Sequence, residues 1–345
     1  RQALAALPGF AACHANLGSA LLAAGRVDDA VASYRTALGL DRRLASAHLG
    51  LGNALLAGGD VAGAEASYRR ALEVQPGFAE AFYSLGRAAQ AAGRGEDAVR
   101  SYRRAIAARP DYADAHLNLG NALAALGRAA EAEAAYRQAI AAAPASAVGW
   151  NNLGLACRVQ GRDAEALACL ERAVALAPDY AEAHNNLGAQ LEAAGRADEA
   201  RVAYRQALAL APAFAEAHNN LGNLLLAAGD ATGALASYDR AVAARPDYAE
   251  AHVNRGNALQ AAGRPAEAVA SYDRALALRP GSADARWNKA FALLLAGDYP
   301  AGLECFEARW ELPGVAPRVP GPAWRDAPGA PPLAGRTVLV HHEQG

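Results

Sequence analysis

Glycine recurs every 34 residues along this chain, at Gly18, Gly52, Gly86, Gly120, Gly154, Gly188, Gly222 and Gly256, with Ala290 next in line. A second column follows seven residues later, from Gly25, Gly59 and Gly93 through Gly127, Gly161, Gly195, Gly229 and Gly263 to Gly297. A third is aromatic: Tyr34, Tyr68, Tyr102, Tyr136, Tyr204, Tyr238 and Tyr272, with Leu170 and Phe306 as substitutes. Pro76, Pro110, Pro144, Pro178, Pro212, Pro246 and Pro280 form the fourth. Columns in register over most of a 345-residue chain require one small supersecondary unit, repeated.

Each unit reads as two antiparallel helices. AEAHNNLGAQLEAAG, from Ala181, spaces its apolar residues as a helix does; Gly195 interrupts it, and ADEARVAYRQALALA is helical again until Pro212. Acidic residues such as Asp28 and Asp29, Glu96 and Asp97, or Asp198 and Glu199 fall in the first turn of the second helix, where they complement its positive dipole end. The spacing predicts that Gly188 faces Ala200 in a close helix crossing and that Tyr204 fills the space toward the neighbouring unit. So short a pair cannot bury its apolar face alone, and the units must stack into a solenoid.

The 34-residue pattern of Leu, Gly, Ala, Tyr, Ala and Pro resembles the tetratricopeptide repeat family. That resemblance implies an all-α right-handed superhelix of nine units, 11–44, 45–78, 79–112, 113–146, 147–180, 181–214, 215–248, 249–282 and a degenerate cap at 283–316. Residues 1–10 align with 205–214 and read as the remnant of a preceding repeat. The fold serves scaffolds, chaperone adaptors and enzyme appendages alike, so function must come from particular residues.

Composition narrows the partners. A net charge of −2, from 33 basic and 35 acidic residues, supplies none of the counterion release that drives nucleic-acid binding. No uncharged stretch is long enough to cross a bilayer. Cys13, Cys157, Cys169 and Cys305 form no CxxC pair and lie in apolar helical stretches, which points to buried small hydrophobes, no metal site, and a reducing, cytoplasmic setting. Methionine is absent even from position 1, so further sequence is expected before Arg1.

Asparagine stands two residues before the first glycine column at Asn16, Asn118, Asn152, Asn186, Asn220, Asn254 and Asn288, replaced by Gly50 and Ser84 in the second and third units. A primary amide both donates and accepts, so a row of them can hold peptide backbone without reading side chains. Rungs on the order of 10 Å apart match about three residues of extended chain. A partial second column, Asn53, Asn121, Asn223 and Asn257, lies three residues on along the same helix face. The competing reading is that these amides only stabilise the helix pair. His14, His48, His116, His184, His218 and His252 form another column, in which Phe82 and Trp150 substitute. Aromatic replacement marks a half-buried packing position, and residues a repeat apart cannot share a metal whose ligands sit near 2 Å. Glu80, Asp114, Glu182, Glu216, Glu250 and Asp284 read as first-turn helix charges. The chaperone C-terminal carboxylate clamp of tetratricopeptide adaptors is not expected, because the positions that would carry its Lys and Arg hold Ala, Leu, Asn or acids.

Past the ninth unit, residues 317–332 are a Pro-rich linker, with Pro317, Pro320, Pro322, Pro328, Pro331 and Pro332. Residues 333–345 bring a β-branched run, Thr337 to Val340, that reads as the first strand of a truncated α/β domain. NKAFALLLAGDYPAGLECFEARW, PGPAW and PLAGRTVLVHHEQG together resemble the junction of bacterial tetratricopeptide proteins that continue into a two-Rossmann glycosyltransferase related to protein O-GlcNAc transferase. The resemblance implies that the asparagines hold an extended polypeptide acceptor and that a downstream domain uses a nucleotide sugar. It implies neither cofactor nor catalytic residue within residues 1–345. His341, His342 and Glu343 read either as loop residues or as a metal or acid–base cluster. The alternative function is a non-enzymatic scaffold that docks folded partners.

Overall fold

A computed structural model describes residues 10–306. Among these residues all regular structure is helical. Residues 1–9 of the remnant at 1–10, residues 307–316 of the degenerate cap, the linker at 317–332, the strand at 333–345 and His341, His342 and Glu343 lie outside the described residues.

The chain divides into two compact units, one ending at Leu224 and one beginning at Leu225. In the first, thirteen-residue first helices run Ala11–Ala23, Ala45–Ala57, Ala79–Ala91, Ala113–Ala125, Ala147–Val159 and Ala181–Ala193. The fourteen-residue second helices are Val27–Leu40, Val61–Val74, Gly95–Ala108, Ala129–Ala142, Asp163–Leu176 and Ala197–Leu210. The helix Ala215–Ala227 contains the division, and the second unit continues with Ala231–Ala244, Ala249–Ala261, Pro265–Leu278, Ala283–Leu295 and Tyr299–Phe306.

The two glycine columns have different causes. Gly25, Gly59, Gly93, Gly127, Gly161, Gly195, Gly229, Gly263 and Gly297 have φ between 71° and 86°, a left-handed turn that L side chains rarely adopt. The other column makes room for a ring. A Cβ on Gly52, Gly86, Gly120 or Gly256 would lie 2.4 Å from the tyrosine of the same repeat, Tyr68, Tyr102, Tyr136 or Tyr272. For Gly188 the nearest neighbour is Tyr204, at 2.6 Å. The ring fills the gap left by the missing Cβ inside its own helix pair. In the fifth repeat Leu170 takes that place against Gly154.

Second helices begin in one of two ways. Six have Arg at the N-cap and an acid three residues on, and the two side chains pair: Arg26 with Asp29, Arg94 with Asp97, Arg128 with Glu131, Arg162 with Glu165, Arg196 with Glu199 and Arg264 with Glu267. Where Asp60 or Asp230 replaces the arginine, its carboxylate accepts directly from the amide of Gly63 or Gly233 at 2.8 Å. Both arrangements place negative charge at the helix N-terminus.

The candidate peptide-binding asparagines

Successive repeats are joined by side-chain amides. Asn152 donates from Nδ2 to Oδ1 of Asn121 at 2.9 Å, and Asn288 does the same to Asn257 at 3.1 Å. Both partners lie 31 residues back. Ser84, standing in the asparagine column, reaches Asn53 Oδ1 at 3.4 Å with the same offset. Where position i−31 is not asparagine, the donor turns to i−35: Asn186 to Asn151 Oδ1 at 2.9 Å, Asn220 to Asn185 Oδ1 at 3.1 Å, and Asn118 to the Tyr83 hydroxyl at 2.8 Å. Either way the amide crosses to the preceding repeat, and Asn118 Nδ2 also reaches the Asp114 carbonyl of its own helix at 3.0 Å.

These bonds orient the amides. Asn118, Asn186, Asn220 and Asn288 are half-buried, and each anchors Nδ2 while its Oδ1 meets no protein donor among the described residues. Asn152 Oδ1 accepts from Asn151 Nδ2 at 3.1 Å. Asn16 is exposed and Asn254 half-buried.

The second column is oriented the other way. Oδ1 of Asn53, Asn121 and Asn257 accepts the hydroxyl of Tyr68, Tyr136 and Tyr272 at 2.9, 2.9 and 2.8 Å, besides the donor from the next repeat. With both lone pairs engaged, these residues have only Nδ2 left to offer. Asn223 is half-buried in the helix Ala215–Ala227. Burial pushes the Tyr68 and Tyr136 hydroxyls up to about 12, so both remain protonated donors at neutral pH. Sequence reasoning missed Asn151, Asn185 and Tyr83, although the doublets Asn151-Asn152 and Asn185-Asn186 carried the signal.

The histidine column has a defined bond. Nε2 of His116, His184, His218 and His252 lies 2.8, 3.0, 2.9 and 3.1 Å from the carbonyl oxygen of Pro110, Pro178, Pro212 and Pro246, and His48 lies 3.0 Å from that of Arg42. Trp150 makes the same contact to Pro144 with its indole N–H at 3.0 Å. Because indole nitrogen only donates, the column serves to donate to the carbonyl that precedes each repeat.

Cys157 and Cys169 are buried, and burial pushes both thiols up, Cys169 to about 11. The Cys157 sulfur and carboxylate oxygens of Glu133 and Glu165 lie within 4.8 Å of one another. Those carboxylates already pair with Arg137 and Arg162. On the second unit, the basic residues Arg255 and Lys289 pair with Asp239 and Asp273, each at 2.6 Å.

The family pattern described as Tetratricopeptide repeat matches residues 15–80, 83–147, 146–213, 249–282 and 283–308, and a further TPR repeat pattern matches 222–263. The chain belongs to the tetratricopeptide repeat family. No curated protein matches it. Among solved structures, the tetratricopeptide chain is similar to the APC/C hetero-tetramer Cut9-Hcn1, with TM-score 0.62 and 18% identity over 77% of this chain and 52% of that one. It thus spans about half the length of that structure's chain. It is also similar to pilF of Pseudomonas aeruginosa, with TM-score 0.54 and 22% identity over 61% of this chain and 96% of that one. PilW, a type IV pilus biogenesis factor, gives TM-score 0.54 and 24% identity over 60% and 96%. At these identities the likenesses speak to the fold. Among the described residues no helix is long and apolar enough to cross a membrane.

Proposed function

We propose that this protein–protein interaction array binds extended polypeptide along its asparagines, as the acceptor-recruiting arm of a protein glycosyltransferase of the O-GlcNAc transferase type. The observation that carries the reading is the orientation of the amides: one N–H of each of Asn118, Asn186 and Asn220 is fixed to the preceding repeat, and Oδ1 is left for a ligand. An extended peptide supplies backbone N–H groups to such acceptors and carbonyls to the remaining N–H groups of the second column. Amides already held lose little rotamer freedom when a peptide arrives, which favours affinity. The glycosyltransferase part rests on the resemblance of the junction residues, and the nucleotide sugar belongs to that part of the reading.

The test replaces Asn152, Asn186, Asn220 and Asn254 together by Ala. Peptide binding is expected to fall several-fold with far-UV circular dichroism unchanged; unchanged affinity overturns the asparagine assignment. Sugar-nucleotide turnover by the full-length protein, with and without an unfolded acceptor, tests the transferase part separately.

A second reading draws support from Asn53, Asn121 and Asn257, whose acceptor capacity is consumed inside the array. On that reading the amides are structural and the array docks folded partners. Capture of folded but not of unfolded protein favours it.

A further inference from the structure

Two grooves lie in the first compact unit, at equivalent places exactly two repeats apart in sequence register. One, of about 610 Å³, has Phe82 and Leu85 in its wall; the other, of about 520 Å³, has Trp150 and Leu153. Each is framed by the second helix of one repeat and both helices of the next. Phe82 and Trp150 are the two positions at which the histidine column is replaced by a larger, more apolar ring.

Each groove also carries an uncommitted cation. Most arginines nearby are neutralised: Arg69 by Glu65, and Arg137 by Glu133 and Glu165. Arg104 and Arg172, again 68 residues apart, meet no carboxylate among the described residues. Both are exposed, and the Arg104 guanidinium lies 5.5 Å from the centroid of the Phe82 ring. A guanidinium over an aromatic ring keeps its edge N–H groups for an anion.

We propose that these paired grooves form a bivalent docking site for an acidic peptide segment with two bulky apolar anchors, each next to a carboxylate. The apolar side chain fits against Phe82 or Trp150, and the carboxylate pairs with Arg104 or Arg172. Two repeats span on the order of 20 Å, which sets the anchors about six residues apart in an extended segment. This site goes beyond the proposed asparagine site and is independent of it, since residues 150 and 152 point to nearly opposite sides of one helix.

The probe is a fluorescein-labelled peptide with two Glu-Phe-Glu triads separated by Gly-Ser-Gly, compared by anisotropy on the full 345-residue chain with a single-triad peptide. Linked engagement of both grooves makes the two-triad peptide bind about 10-fold tighter or better. Arg104→Glu with Arg172→Glu abolishes that gain. Phe82→His with Trp150→His also removes it, and folding is preserved because histidine is what the other repeats carry there. Replacing the four ladder asparagines leaves the advantage of two triads over one unchanged, since backbone-holding amides do not distinguish the triads. Equal affinity for one and two triads overturns the bivalent site. Equal affinity for a peptide with Phe replaced by Ala shows attraction by charge alone, and equal affinity for one with Glu replaced by Lys shows hydrophobic adhesion; either result overturns the assignment.

Discussion

Asn152 and Asn121 are joined across a repeat boundary by a 2.9 Å amide hydrogen bond, and the Asn121 oxygen that accepts it also accepts the Tyr136 hydroxyl. One side chain therefore ties the first helix of the fourth repeat to its own second helix and to the fifth repeat. Asn121→Ala strands the hydroxyl of a tyrosine that is only 4% exposed, and is expected to cost about 1–3 kcal/mol. Asn152→Ala leaves the Tyr136 bond intact and should cost less, about 1 kcal/mol. Urea unfolding of the two variants checks the order; equal costs would show that the oxygen is not shared.

Gly120 and Gly154 hold the same register position against different neighbours. A Cβ on Gly120 meets the Tyr136 ring at 2.4 Å, and that ring is tethered through its hydroxyl. On Gly154 the nearest atom is Leu170 Cγ at 2.8 Å, followed by the Ala166 carbonyl oxygen at 3.2 Å. Untethered leucine can turn aside, whereas tyrosine must break its bond. Gly120→Ala is expected to destabilise by about 1–3 kcal/mol and Gly154→Ala by less, as read from urea midpoints. The reverse order would show that the Ala166 carbonyl, not the side chain, sets the limit.

His252 gives the second unit a pH dependence of known sign. Burial lowers its pKa, the bond to the Pro246 carbonyl opposes that effect, and the charges of Arg274 and Arg255 reinforce it. A histidine whose folded pKa lies below its unfolded value contributes stability above the unfolded pKa, and loses it as pH falls through the folded one. The wild type should therefore lose more stability than His252→Phe on going from pH 7.5 to about 5.5. Parallel curves of melting temperature against pH for the two proteins would contradict this.

Periodicity made the helices legible because a 34-residue repeat with a turn glycine leaves few alternatives, and Gly195 is left-handed where the pattern required a break. The partners of the asparagines were not legible. That Asn186 reaches positions i−31 and i−35 at all depends on how one repeat packs against the next, which no spacing within a repeat contains; residue type then selects between them. In this case Leu155 stands at i−31 and cannot accept, so Asn151 does. The closeness of the glycine–tyrosine contact was not legible for a related reason. Sequence treats Gly188 and Ala200 as matching small residues, but the volume left by a missing Cβ is better filled by the Tyr204 ring.

Glu133 offers the sharpest test of how neighbouring repeats are held by charge. It is 7% exposed, yet it receives the Gln160 amide at 2.8 Å, Arg137 at 2.9 Å and the Arg162 guanidinium. Arg137 comes from its own helix, whereas Gln160 and Arg162 come from the next repeat. Burial alone would push this carboxyl up; the hydrogen bonds from Gln160 and Arg162, with the Arg137 charge, outweigh it and hold the group below the usual carboxylate range. Because the folded pKa is the lower one, the contribution is present above the unfolded value and is lost as pH falls through the folded value. Glu133→Gln keeps the volume and removes the charge, so it should cost about 1.5–3 kcal/mol at pH 7. The difference from wild type should shrink between pH 7 and an acid pH below the usual carboxylate range, where this contribution is lost. Urea midpoints at the two pH values decide the matter: a constant difference would mean that Glu133 acts through packing, and that the Arg162 contact between repeats depends on shape rather than charge.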